Sequence, residues 1–284
     1  MRTISLVASS RPVYTAEALS GLTLALLTLA ESGRRGFDKL IMSIDVDSFG
    51  NVEPGTEKLC EKAAEIISNE GLAECFIYVN QSREGVGGNH HAALSRAFEE
   101  HESDFNVLIE DDAKLTLDSL HFANWFQERH GGPLSDYVLA SLCNHRGFGH
   151  GQNPGEIPDD PSFVVESPFI TAPFAWALSK HQWPFVKATW CTKFLGPNGW
   201  DFSLSYNMRL ARKKSLHPVV SRCQNIGEIG MHETPASFAK TQKDLIISDG
   251  TYAGGFRVVG KLPHEELMKI DDWMASEYWR WFPK

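Results

Sequence analysis

Three carboxylates in a row mark the first place in this sequence where chemistry could be done. Glu110, Asp111 and Asp112 follow directly on the apolar run Phe105 to Ile109. Adjacent acids at the end of a buried strand repel one another, and each is penalised for losing water. A divalent cation offsets that cost, because Mg2+ and Mn2+ take hard oxygen ligands. Mg2+ in particular keeps some waters and is held by one or two carboxylates together with substrate phosphates. The triplet therefore suits a metal–diphosphate site. Taken alone, it also suits a polar turn after a strand.

The elements around the triplet decide whether it is positioned for such work. Thr3 to Ala8, Lys39 to Ile44, Cys75 to Val79 and Phe105 to Ile109 are short runs rich in apolar and β-branched residues, each expected to be a strand. Between them, Val13 to Ser32, Pro54 to Ser68 and a segment from Gly85-Val-Gly-Gly-Asn89 to about His101 have helical length and spacing. Strand–helix alternation predicts a mainly parallel sheet flanked by helices. Ligands of such sheets sit beyond the carboxyl ends of the strands. Four strand ends here carry polar groups: Ser9 to Arg11, Asp45 to Asp47, Gln81 to Glu84 and the acidic triplet.

The second half is less regular. Leu115 to Arg129 and Trp200 to Arg212 read as helices, and Asp136 to Leu142 and Leu216 to Val220 as strands, with short strands between Phe163 and Leu178. Asn144 to Pro161 and Thr234 to Gly255 read as loops, and Pro263 to Trp279 as a closing helix. No repeat or clean linker divides the chain, so the expectation is one α/β domain over 1–284. Residues 1–112 would form its nucleotide-binding half and 113–284 its acceptor-side half.

Composition narrows the classes. With 284 residues and 42% hydrophobic content the chain has ample core, and a formal net charge of -9 disfavours a general polyanion binder. Five scattered cysteines without a C-x-x-C pair argue against a disulfide framework or a structural zinc site. The apolar run Leu19 to Ala30 is shorter than a bilayer span. No signal-like segment opens the sequence, so a cytoplasmic location is expected, in the host cytoplasm if the chain is virus-encoded. Neither a G-x-G-x-x-G nor a P-loop motif occurs.

Three stretches together resemble nucleotide-sugar glycosyltransferases of the GT-A fold. The first runs from Gly85-Val-Gly-Gly-Asn-His-His to Val107-Leu-Ile-Glu-Asp-Asp112 and is similar to that family's Gly–Asn helix, strand and acidic "DxD" motif. The second is Thr171-Ala-Pro-Phe-Ala-Trp-Ala-Leu-Ser-Lys-His-Gln-Trp183, like a Trp-rich acceptor-side segment. The third is Gly199-Trp-Asp201 through Pro218 and Asn225-Ile-Gly227 to His232, which resembles a "WD…P…NIG…H" tail. The resemblance implies a UDP-sugar or related donor, Mn2+ or Mg2+, and transfer of a sugar to an acceptor hydroxyl. It implies Asp112 as direct metal ligand, Glu110 and Asp111 near ribose or metal-bound water, and His232 as a further ligand, with Glu233 a weaker candidate.

By the same resemblance Asp201 is the base of an inverting enzyme. A carboxylate at a helix start can also serve as a cap. Ser9, Arg11, Asp45 and Asp47 would hold the nucleoside and diphosphate, with Arg83 and Asn89 in the next loop and helix; ordinary strand-end capping is the other reading of each. His90 shares a helical face with Leu94 and Phe98 and reads as a packed residue. Trp176, Trp183, Trp190 and Trp200 are core or acceptor platform. Arg209, Arg212, Lys213 and Lys214 form a basic cluster, either a solvated face or a place to steer a phosphate-bearing acceptor. The acceptor stays open: glycan, small molecule or modified nucleic acid. The alternatives are a nucleotidyltransferase, for which Ser9-Ser-Arg-Pro12 is a poor loop, and a non-catalytic carbohydrate-binding protein on the same fold.

Overall fold

In a computed structural model, residues 1–144, 157–170, 173–192, 199–228, 234–242 and 245–261 are described. The first half alternates as its sequence requires: β1 (Arg2–Ala8), α1 (Pro12–Glu31), β2 (Lys39–Ile44), α2 (Pro54–Asn69), β3 (Glu74–Val79), α3 (Gly85–Ser95) and β4 (Phe105–Glu110). A π-helical turn, Arg96–Glu100, extends α3. Then come β5 (Ala113–Leu115), α4 (Ser119–His130), β6 (Tyr137–Ser141), β7 (Phe163–Ser167), β8 (Ala175–Ser179), α5 (Trp183–Thr189), α6 (Trp200–Leu210), β9 (Lys214–Pro218), β10 (Cys223–Asn225), α7 (Pro235–Gln242) and β11 (Arg257–Lys261).

Among the described residues the strands form a nine-stranded sheet, ordered β11-β7-β9-β6-β8-β4-β1-β2-β3, and a two-stranded sheet of β10 and β5. β1 lies parallel to β2 and β4, and β2 parallel to β3. β8 enters antiparallel between β4 and β6. Strands covered on both faces should be largely apolar; β1, β2 and β4 are almost entirely buried, with Arg2, Thr3, Ser5, Ser43 and Asn106 as their buried polar residues. Val107 and Ile109 face a core with Leu22, Leu26 and Phe126, whereas Leu108 faces another with Leu94, Trp176 and Trp200. Fully burying one such side chain contributes roughly 1.5–3 kcal/mol.

α1 is 20 residues long and, among the described residues, the one helix long and apolar enough to cross a membrane; much of it is buried on the sheet. Its Gly21 lets β5 approach: a Cβ there would lie 3.1 Å from the Leu115 backbone. That contact explains a departure from expectation. The helix predicted from Leu115 begins only at Ser119, because Ala113–Leu115 pairs with Asn225–Cys223 and the Thr116 hydroxyl donates to Asp118 Oδ1 at 2.6 Å. The polar stretch from Thr234 also differs: Pro235–Gln242 is helical, and β11 joins the sheet edge beyond it. The predicted closing helix, most of the predicted loop after Asn144, and His232 and Glu233 lie outside the described residues.

Candidate active site

The strand registers bring the polar ends to one level. Ala8 is opposite Ile44, Ile44 opposite Val79, and Val7 opposite Glu110. The ladder runs one residue further, with Asp45 N–H donating to Ala8 O (2.8 Å) and Asn80 N–H to Ile44 O (3.0 Å). Beyond these ends lies a cleft of about 340 Å³. Ser9, Arg11, Asp45, Asp47, Arg83, Asn89, Glu110 and Asp111 all border it.

The donor-side residues are interlocked. Asp45 Oδ1 accepts from Glu84 N–H (2.9 Å) and Asn80 Nδ2 (3.2 Å), and Oδ2 accepts from Gly85 N–H (2.9 Å), which fixes the entry to α3. Asn89 donates to Ala8 O (3.2 Å) and Ser43 O (3.1 Å), and accepts from Ser43 Oγ (2.7 Å) and Asn80 Nδ2 (3.0 Å). An Asn side chain has two donors and two acceptor sites, so all four are used within the protein. Arg96 closes the network on Ser43 Oγ (2.5 Å) and Asn80 Oδ1 (3.0 Å). Asp47 is exposed and accepts from Asn51 N–H (2.9 Å) and Phe49 N–H (2.8 Å), which hold its carboxyl below the usual range. Arg83 is exposed on the rim.

The acidic motif is arranged differently. Arg11 bridges two of its members, donating from Nη2 to Asp111 Oδ1 and from Nη1 to Asp112 Oδ2, the latter at 2.6 Å. Asp111 Oδ2 accepts from Ser9 N–H (3.0 Å). Asp112 Oδ1 is buried with no hydrogen-bond partner. Burial, helped by Glu110 and opposed by Arg11, pushes the Asp112 carboxyl up to about 7. Gly227 makes room for this side chain, since a Cβ on it would lie 2.4 Å from Asp112 Oδ2. Burial works against charge on Arg11, but its two carboxylate partners more than offset that and hold the guanidinium above its ordinary value.

Glu110 Oε1 meets His90 Nε2 at 3.1 Å, and His90 Nδ1 lies 2.6 Å from Val86 O. A carbonyl can only accept, so Nδ1 donates to Val86 and Nε2 is the ring nitrogen that faces the Glu110 carboxyl. His90 is indeed packed, its ring 5.0 Å from that of Trp200, and its hydrogen bond to Glu110 was not foreseen. The signal was slight: one histidine four residues after Val86 on α3.

Asp201 occupies the first turn of α6, as its Gly-Trp-Asp context suggests. Burial pushes its carboxyl up to about 6; the Phe202 N–H and its own N–H oppose this, Glu110 adds to it, and His90 lessens it. Glu110, His90 and Asp201 therefore form one electrostatic neighbourhood. Trp200 stacks on Trp190 at 4.6 Å and on Trp176 at 5.8 Å; Trp176, Trp183 and Trp200 are buried, and Trp190 is half-buried. In the basic cluster, Lys214 pairs with Glu166 at 2.9 Å and Lys213 reaches Gln182 Oε1 at 3.3 Å.

The donor set bears on the expected cation. Among the described residues no three His, Cys, Asp or Glu side chains form a metal site. What the motif offers is a hard oxygen of Asp112 that is buried and unpartnered, just behind Glu110 and Asp111 at the cleft border. That fits a cation shared with substrate phosphates and water rather than one caged by protein.

No protein-family model matches the chain, and no curated protein sequence matches it. Among crystal structures, it is similar to GalNAc-T7 with UDP, GalNAc and Mn2+, at a TM-score of 0.51 and 14% identity, over 99% of this chain and 58% of that one. It is also similar to S. aureus TarS, at a TM-score of 0.47 and 12% identity, over 100% of this chain and 41% of that one. The chain spans less than two thirds of either. The likeness to GalNAc-T7 establishes the fold as GT-A type: an α/β architecture with a large, mostly parallel central sheet between helices.

Proposed function

We propose that this chain is a glycosyltransferase that moves a sugar from a nucleoside-diphosphate donor, with UDP-linked sugars favoured, to an acceptor hydroxyl. The observation that carries this reading is the unpartnered Asp112 oxygen in an acidic motif at the edge of a strand-end cleft, with Asp201 nearby in charge. GalNAc-T7, which shares the fold, holds UDP and Mn2+ in its structure. Asp112 would bind the cation, joined by His232, whose place in the sequence suits a further ligand. When bound there, the metal supplies Lewis-acid stabilisation of the departing nucleoside diphosphate.

The remaining work falls to the chain itself. Ser9, Asp45 and Asp47 shape the floor and rim on which the nucleoside sits, and Arg11 and Arg83 face the diphosphate charge. Glu110 and Asp111 fix the cleft edge through His90, Ser9 and Arg11. Asp201, with a carboxyl near 6, is ionised at neutral pH yet basic enough to accept a proton. In the inverting sequence it takes the acceptor hydroxyl proton as that oxygen bonds to the anomeric carbon. The bond to the diphosphate breaks on the opposite face.

A thermal-shift panel of nucleoside diphosphates and their sugars, each with and without Mn2+, tests the reading. Ligands that bind only the native state raise its apparent stability by mass action. The expected result is a shift with UDP or a UDP-sugar that grows with Mn2+. Indifference to every nucleotide would sink the transferase reading and favour a non-catalytic carbohydrate-binding role.

A further inference from the structure

The acidic motif already has a cation, and it belongs to the protein. Arg11 spans Asp111 and Asp112 with its two terminal nitrogens, leaving Asp112 Oδ1 the one oxygen of that pair without a partner. Its side chain is 28% exposed and borders the cleft, while its backbone sits at the start of α1 directly before Pro12. The helix start is thereby fixed, and the guanidinium can change partners without moving it. Guanidinium binds carboxylate and phosphate through the same bidentate geometry, and a diphosphate entering this cleft offers it more negative charge than either carboxylate does. A divalent cation arriving alone at Asp112 Oδ1 meets a like charge held on the other oxygen of the same carboxylate.

We propose that Arg11 is the resident counter-ion of the acidic motif, occupying Asp111 and Asp112 in the nucleotide-free protein and passing to the diphosphate when donor enters. Metal binding at Asp112 is then gated by nucleotide. This rests on the metal–diphosphate reading of the site and adds an order to it. Coupling of this kind is reciprocal, so Mn2+ tightens nucleotide by the factor with which nucleotide tightens Mn2+.

The experiment measures Mn2+ bound to the full chain by the loss of the free-ion EPR signal, with and without UDP, correcting for Mn2+ held by UDP in solution. Wild type is expected to bind Mn2+ at least ten-fold tighter with UDP than without. Arg11→Gln is expected to bind Mn2+ without UDP at least ten-fold tighter than wild type, with the UDP enhancement correspondingly smaller. An Arg11→Gln protein, folded by circular dichroism, whose UDP-free Mn2+ affinity equals that of wild type overturns the gating role. Should Arg11→Gln not fold, because two buried carboxylates have lost their partner, Arg11→Lys decides. Its single ammonium holds one carboxylate at a time, and about three-fold tighter UDP-free binding is expected; no change overturns the proposal. Wild type that retains no Mn2+ even with UDP defeats the metal–diphosphate reading itself, a different outcome from the gating failure.

Discussion

Two neighbouring regions of the cleft treat their polar groups in opposite ways. Around Asn89, every side chain is answered by another: Asp45, Asn80, Ser43 and Arg96 close a network with no free position on Asn89. Where β4 ends beside α6, the groups are left wanting. Asp112 keeps a buried oxygen without a partner, and Asp201 has its carboxyl raised to about 6. Satisfied buried networks rigidify, whereas groups held off balance are available for chemistry. The first region is a frame and the second is where a reaction would be run.

Substitutions can break this division. The largest effect is expected from Asp201→Asn, which should slow sugar transfer about 10²–10⁴-fold while leaving UDP-induced thermal shifts unchanged. The pH profile sharpens the point. Wild-type rate should rise with pH through about 6 as Asp201 ionises, and the variant should lack that limb. The stability sign is the reverse. Because folding raises this carboxyl above its usual 3.8, its contribution is complete below 3.8 and lost as pH rises through about 6. Urea melts between pH 4 and 7 should show Asp201→Asn gaining on wild type as pH increases.

Asp112→Asn comes next. Losing a cation's charge stabilisation, worth several kcal/mol, should cost about 10²–10³ in rate and abolish the Mn2+-dependent part of the donor thermal shift. Full activity with metal in this variant would remove Asp112 from the site. Asn89→Ala probes the frame instead. It takes one donor from the Ser43 and Ala8 carbonyls, leaves Ser43 Oγ and Asn80 Nδ2 without the acceptor they share, and should cost about 3 kcal/mol of unfolding free energy, read from denaturant midpoints. A variant of normal stability with lost UDP binding would show that Asn89 serves the ligand directly. The smallest effect separates two glycines. Gly227→Ala, whose Cβ meets Asp112 Oδ2, should weaken Mn2+ retention with UDP about ten-fold; Gly36→Ala, with nothing within 4 Å, should stay within about 0.5 kcal/mol of wild type.

Much of the frame was legible because its cause is local. β2 runs Lys39–Ile44, as its composition says, and α1, α2 and β4 lie within a residue or so of their apolar patterns. The site was legible as a set of strand ends, since parallel alternation forces Ser9, Asp45 and Glu110 to one edge. What could not be read depends on distant partners. β5 has three residues and exists because Cys223–Asn225 lies against it. α7 sits in a polar stretch with little periodic signal, and β11 is an edge strand defined by β7. The Arg11 bridge joins residues a hundred positions apart, and the sequence suggested that Arg11 faces the diphosphate without suggesting that it already holds the acids.

The seat of β4 between β1 and β8 has one more consequence. A strand hydrogen-bonded along both sides loses its amide protection only when a large part of the sheet opens. Deuterium uptake at Val107 to Ile109 should therefore be among the slowest in the protein, and the acid triplet would be among the last features to dissolve during unfolding. A motif anchored that deeply can tolerate drift in the loops around it, which leaves room for natural or laboratory selection to reshape those loops without disturbing the pivot.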